Sequence, residues 1–224
     1  MKPEEKKETI RRYEERLEKY GASVKTMGWR DREQQNMRFV ILSEIGDLTN
    51  CSVLDVGCGF GDLYGFLEQK GLHVQYSGYD ISSKLIKIAQ KRHPEATFEV
   101  KDILEESSVN KFDYVVSSGV LNHRLSDNEG FLGKMITRCF DLCNIGVAIN
   151  MMSNYVDYKD ECLYYYSPEK VFTFCKTLTK RVIMRHDYMP YEFTVYLYKN
   201  ASVNEKNIFV QAFEKCKFSD KAHY

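Results

Sequence analysis

Apolar residues recur every three or four positions over residues 3–20, at Ile10, Tyr13, Leu17 and Tyr20, and Gly21 stops the run. That spacing predicts an amphipathic helix. Residues 22–30 lose the rhythm and read as a loop around Trp29. A second helical period covers 31–46, with Met37, Val40, Ile41 and Ile45 expected on its inward side. The period then changes. "SVLDVG" is a short apolar run of the kind a buried strand makes, and residues 61–70 return to a helix. "VQYSGYD", "ATFEVKD", "KFDYVVSSG" and "IGVAINMM" read as further strands. Helices fall between them at 82–92, with Leu85, Ile86 and Ala89 inward, and at about 127–142. Strands alternating with helices predict parallel βαβ units and an α/β, doubly wound sheet.

The end of the chain breaks the alternation. A tyrosine-rich loop at 153–166 is followed by Ser167-Pro168-Glu169, which opens a helix with Pro168 suited to its first position. "TKRVIMRHD" and "YEFTVYLYK" are separated by only a short turn, which predicts an antiparallel pair. Residues from Ser202 read as a final helix. The expected organisation is an N-terminal helical cap or lid over 1–47, an α/β domain over 48–200, and a C-terminal helix and tail over 201–224.

Composition narrows the partners. Lys+Arg and Asp+Glu both total 32, so the formal charge is zero. That argues against a nucleic-acid binder relying on a broad basic face. No apolar run approaches 18 residues and the N-terminus is highly charged, so neither a membrane span nor a signal peptide is expected. Seven widely spread cysteines without a CxxC point to reduced, buried thiols in a cytoplasmic protein. Cys139 and Cys143, four apart on a helix, suit packing better than metal, and no metal site is expected.

The chemistry is concentrated after the first strand. "DVGCGFG" sets Asp55 at the strand end, then Gly57, Cys58, Gly59 and Gly61. Glycines at a strand-to-helix turn allow unusual dihedrals and close approach of a ligand to the backbone. The spacing is GxGxG, with Asp62 where the dinucleotide fingerprint GxGxxG has its last glycine. An acid beside the loop is a poor cradle for pyrophosphate and suits a ligand with a positive group. The second strand ends in Asp80-Ile81, where a carboxylate can accept both ribose hydroxyls. The third ends in Asp102-Ile103, an acid for an adenine amino group and an apolar wall for the ring. The fourth ends in Ser118 and Gly119, then Leu121, Asn122 and His123. All of these lie at carboxyl ends of parallel strands, where open α/β sheets bind ligands.

On these residues the chain resembles class I S-adenosylmethionine-dependent methyltransferases. "VLDVGCGFGDL" is similar to the family's first motif, "YSGYDIS" to its second-strand acid, "VKDIL" to its adenine-contacting acid and "FDYVVSSGVLNH" to its fourth-strand motif. The resemblance covers about residues 48–200. With "GWRDREQQNMRF" before the loop and "RHDYMPYEFTVYLYK" near the end, the pattern also resembles a bacterial and archaeal group of such enzymes of unknown substrate. It implies a mostly parallel seven-stranded sheet of order 3-2-1-4-5-7-6, strand 7 antiparallel. It implies S-adenosyl-L-methionine as cofactor, S-adenosyl-L-homocysteine as product, and methyl transfer by in-line displacement to an oxygen, nitrogen or carbon atom.

Other residues carry two readings each. Trp29 is a lid residue over the cofactor or a hydrophobic anchor. Arg38 meets the methionine carboxylate or pairs with Glu33 or Glu44. His123 is an acceptor base or an ordinary loop histidine. Asp102 is a cofactor ligand or a helix cap. Asn122 with Tyr155, Tyr164, Tyr165 and Tyr191 could form an acceptor pocket of aromatic walls and hydrogen bonds, or cover the sheet. A small-molecule acceptor is the leading expectation, for a monomer or homodimer. RNA or protein methylation is the first alternative, and a non-catalytic binding module the second.

Overall fold

The computed structural model describes residues 1–106 and 110–200. The helix expected from Ser202 lies outside the described residues. Thirteen elements follow in the order α1 (Pro3–Tyr20), α2 (Arg32–Ser43), β1 (Ser52–Val56), α3 (Asp62–Gln69), β2 (Gln75–Asp80), α4 (Ser83–Arg92), β3 (Thr97–Val100), β4 (Phe112–Ser118), α5 (Asn128–Leu142), β5 (Cys143–Met152), α6 (Pro168–Leu178), β6 (Val182–Met189) and β7 (Glu192–Tyr198). The strands form one seven-stranded sheet of order β3-β2-β1-β4-β5-β7-β6. β1 to β5 pair in parallel, and β7 runs antiparallel to both β5 and β6. The fold is the doubly wound sheet the sequence predicts.

Alternating residues of each strand feed two cores. On one face Leu54, Val115, Val147 and Val195 pack with Phe131, Ile136 and Cys139 of α5 and Val171 and Cys175 of α6. On the other, Val53, Val116, Ala148 and Tyr196 meet Phe39, Ile41 and Leu42 of α2, Leu63 and Phe66 of α3, and Ile86 and Ala89 of α4. Cys139, Cys143 and Cys175 are wholly buried as packing residues, and no metal-binding cluster occurs among the described residues. No helix among them is long and apolar enough to cross a membrane.

The N-terminal segment divides differently from the expected 1–47 cap. α2 belongs to the sheet: the Tyr196 hydroxyl donates to the Ile41 carbonyl at 2.6 Å, and that of Tyr198 to Ile45 at 2.9 Å. Its inward face is Phe39, Ile41, Leu42 and Arg38, while Met37 is exposed. Ile41 and Ile45 of the expected stripe are buried, and Arg38, which the stripe leaves out, is buried with them. α1 and the 21–31 loop lie over the carboxyl edge of the sheet, and α2 adds Gln35 and Phe39 to the lining of the cavity there.

Candidate functional site

The loop after β1 is shaped by three glycines in the left-handed region, Gly57 at φ +78°, Gly59 at +54° and Gly61 at +74°. A Cβ on Gly57 would stand 2.2 Å from Val120 Cγ2, a stiff side chain that cannot retreat. The loop amides are used internally. Gly57 and Cys58 donate to the Tyr79 carbonyl at 2.7 and 3.1 Å, Gly61 to that of Cys58 at 2.9 Å, and Gly59 to Asp80 Oδ2 at 3.0 Å. The nest of outward amides that phosphates need is not made by these residues.

Beside the loop, Asp55 is 4% exposed and accepts one short bond, from the Tyr76 hydroxyl at 2.6 Å. Burial pushes its carboxyl up to about 7, against the lowering effect of Tyr76. Asp80 also binds the Ser82 amide through Oδ1 at 2.9 Å, so it clasps both the glycine loop and the start of α4. Burial raises it too, and these backbone donors oppose the rise. Asp102 accepts from the Leu104 amide at 3.0 Å and pairs with Lys6 Nζ at 2.8 Å.

These groups surround one cavity at the carboxyl edge of β1, β2, β3 and β4. Asp55, Gly57, Cys58, Gly59, Asp80, Ile81, Asp102, Ile103, Ser118, Gly119, His123 and Trp29 all line it. Its roof is apolar and comes from the N-terminal segment: Met1, Ile10, Tyr13 and Met27. Tyr13 and Lys6 had no expected role. Tyr13 belongs to the helical stripe of α1, which is the one sign the sequence carries of the surface it covers.

His123 is held by α1. Arg12 Nη1 donates to its Nδ1 at 2.9 Å, and Nε2 meets the Tyr13 hydroxyl at 3.1 Å. Burial, then the charges of Arg12 and Arg16, lower its pKa to about 4. Both nitrogens of the imidazole are thus engaged by α1, and His123 latches that helix over the cavity.

Arg38 does not line the cavity. Its guanidinium lies under the Trp29 ring at 4.0 Å, and its partner is neither Glu33 nor Glu44 but Glu192, at 2.6 Å. The expected tyrosine pocket is also relocated. Tyr155, Tyr165 and Tyr191 line a separate open groove with Asn154 and Asp157. Tyr164 stacks edge-on against Tyr166 and donates to Glu129 at 3.0 Å, towards α5. Asn122 is buried with Oδ1 unpartnered, outside the cavity lining.

A family model described as a methyltransferase domain matches residues 47–208. A Mycobacterium tuberculosis protein that bears a methyltransferase name is 32% identical over 156 residues, 66% of this chain and 93% of that one. The magnesium-protoporphyrin O-methyltransferase of Rhodobacter capsulatus is 35% identical over 111 residues, and the chain spans 46% of its length. The crystal structure of magnesium protoporphyrin IX methyltransferase from Synechocystis PCC 6803 with bound S-adenosylhomocysteine aligns at TM-score 0.57. It is 18% identical over 75% of this chain and 83% of that one, a likeness of fold.

Proposed function

The chain belongs to the methyltransferase domain family, and on that premise we propose that it methylates a small molecule inside the roofed cavity. It is an enzyme whose methyl donor is S-adenosylmethionine. The cavity suits that donor. The donor has no phosphate, and the amides of Gly57, Cys58, Gly59 and Gly61 are spent. It has an ammonium, and Asp55 is an acid whose ionised form lacks a cationic partner. Its adenosine offers hydroxyl and amino donors, and Asp80 and Asp102 are acceptors at neighbouring strand ends.

We assign Asp55, Gly57, Cys58 and Gly59 to the methionine half, Asp80 and Ile81 to the ribose, and Asp102 and Ile103 to the adenine. Ser118, Gly119 and Trp29 then border the transfer end. When bound, the donor supplies a methyl carbon that bonds to the acceptor as the carbon–sulfur bond breaks, its electron pair staying on sulfur. The chain's own part is alignment and exclusion of water. The apolar roof excludes solvent, and residues 1–31 close the cavity as its lid. No proton is routed through His123.

The roof is the observation that carries the small-molecule reading. Met1, Ile10, Tyr13, Met27 and Trp29 cover the edge of the sheet that an RNA strand or a protein tail would need to reach. The groove of Tyr155, Tyr165 and Tyr191 lies outside this roof and is not assigned to the acceptor. Cys58, Cys139, Cys143, Cys162 and Cys175 are free thiols, which supports a reducing, cytoplasmic setting. Incubation with methyl-labelled S-adenosylmethionine and separate metabolite, RNA and protein fractions tests the reading. Label is expected in the metabolite fraction. Label confined to RNA or protein would overturn it.

A further inference from the structure

The cavity wall beside Ser118 and Gly119 is a stack drawn from three distant parts of the chain. The Trp29 ring lies over Gly119, 3.3 Å from where a Cβ would stand. The Arg38 guanidinium sits over the same indole, 4.0 Å from the ring centroid. Glu192, the first residue of β7, accepts from Arg38 Nη2 at 2.6 Å and from Nε at 3.0 Å. Arg38 Nη1 donates to the Gln34 carbonyl at 2.7 Å, which fixes the guanidinium at its other end. Arg38 is 2% exposed and Glu192 1%.

A buried ion pair is a poor device for stability alone, because desolvation consumes most of the attraction. Here the pair is not even arranged for the strongest pairing. Both Arg38 donors go to Glu192 Oε1, and Oε2 has no partner among the described residues. A forked pair using both oxygens would hold better. What the arrangement does achieve is a cation held over the indole ring, where the ring quadrupole attracts it. Of the three residues only Trp29 touches the cavity.

We propose that Glu192 is a positioning residue of the methyl-transfer site: through Arg38 it holds the Trp29 indole against Gly119, and so sets the wall beside the cofactor's methionine half. The proposal rests on the methyltransferase reading of the cavity. It adds a residue 154 positions from Arg38 in the chain, and it assigns the pair to the site rather than to the fold.

Trp29 is the only tryptophan, so its fluorescence reports the stack directly. S-adenosylhomocysteine affinity is measured by calorimetry, beside Trp29 emission, in the wild type, Glu192→Gln and the apolar double variant Arg38→Met/Glu192→Leu. The double variant keeps the site buried without a lone charge, so it tests the idea should Glu192→Gln fold poorly. Both are expected to shift Trp29 emission to longer wavelength and to weaken S-adenosylhomocysteine roughly tenfold, the scale of a lost cation–π contact. In a Trp29→Leu background the same changes should leave the affinity unmoved, since they act only through the indole. Folded variants with wild-type affinity and emission would overturn the proposal. So would a loss of equal size in the Trp29→Leu background, which would make the pair structural. A wild type that fails to bind S-adenosylhomocysteine would instead overturn the reading of the cavity.

Discussion

At the scale of single residues, Asp55 sets the pH behaviour. Its carboxyl sits at about 7 because burial penalises the ionised form, and in the proposed assignment the ammonium of the cofactor needs that form. Binding below pH 7 must therefore expel a proton. S-adenosylhomocysteine affinity should fall about tenfold per unit as the pH drops from 7 to 5.5, and calorimetry across that range checks it. Stability of the unliganded protein runs the other way. The folded pKa is raised, so the stability Asp55 contributes is present at low pH and lost as the pH rises towards 7. Asp55→Asn should leave a protein more stable than the wild type at pH 8, in thermal melts, with cofactor affinity lost. Gly57 answers to sterics instead. An alanine there meets Val120 at 2.2 Å and keeps φ at +78°, so Gly57→Ala should cost about 2 kcal/mol or more in denaturant unfolding. Asp55, Asp80 and the glycines were legible because each stands at the end of an apolar strand pattern. Glu192 was not, since its role depends on a partner far off in sequence and on an antiparallel register with Met152 that no local pattern encodes.

At the scale of elements, α1 differs from the rest of the molecule. It buries no residue fully and is held by a few polar contacts: Glu5 to the Ser126 amide, Lys6 to Asp102, Arg12 and Tyr13 to His123, and Arg16 to the Thr26 carbonyl. Few apolar contacts mean a low free energy of local opening. Removing residues 1–20 should move Tm by less than about 5 °C, yet speed S-adenosylhomocysteine release at least tenfold in stopped-flow. A large Tm loss with unchanged release would make α1 part of the fold. The strands and helices of the sheet were readable because period 2 and period 3.6 differ sharply. The division of the first 47 residues was not: α1 and α2 have the same helical period, and only packing shows that α1 covers the cavity while α2 packs on the sheet and reaches the cavity with Gln35 and Phe39. The tyrosine loop misled for a similar reason. Clustering in sequence placed its rings on several surfaces, from the buried Tyr166 to Tyr158 at 82% exposure.

At the scale of the whole molecule, the sheet brings four strand ends to one edge, and the order of strands puts the glycine loop between the acids of β2 and the small residues of β4. Any α/β sheet with this winding has that edge. What distinguishes this one is how its loop amides are committed. A cell is crowded with ATP and nicotinamide dinucleotides, all of which share the adenosine that we propose Asp80 and Asp102 accept. Half a recognition site is therefore common property. On the proposed reading the loop and Asp55 supply the discrimination, by offering a polyphosphate no amides from Gly57, Cys58, Gly59 or Gly61 and a neighbouring negative charge. Millimolar ATP should leave S-adenosylhomocysteine bound in a competition titration. The turn that closes on itself thus acts as a filter against the most abundant impostors the enzyme meets.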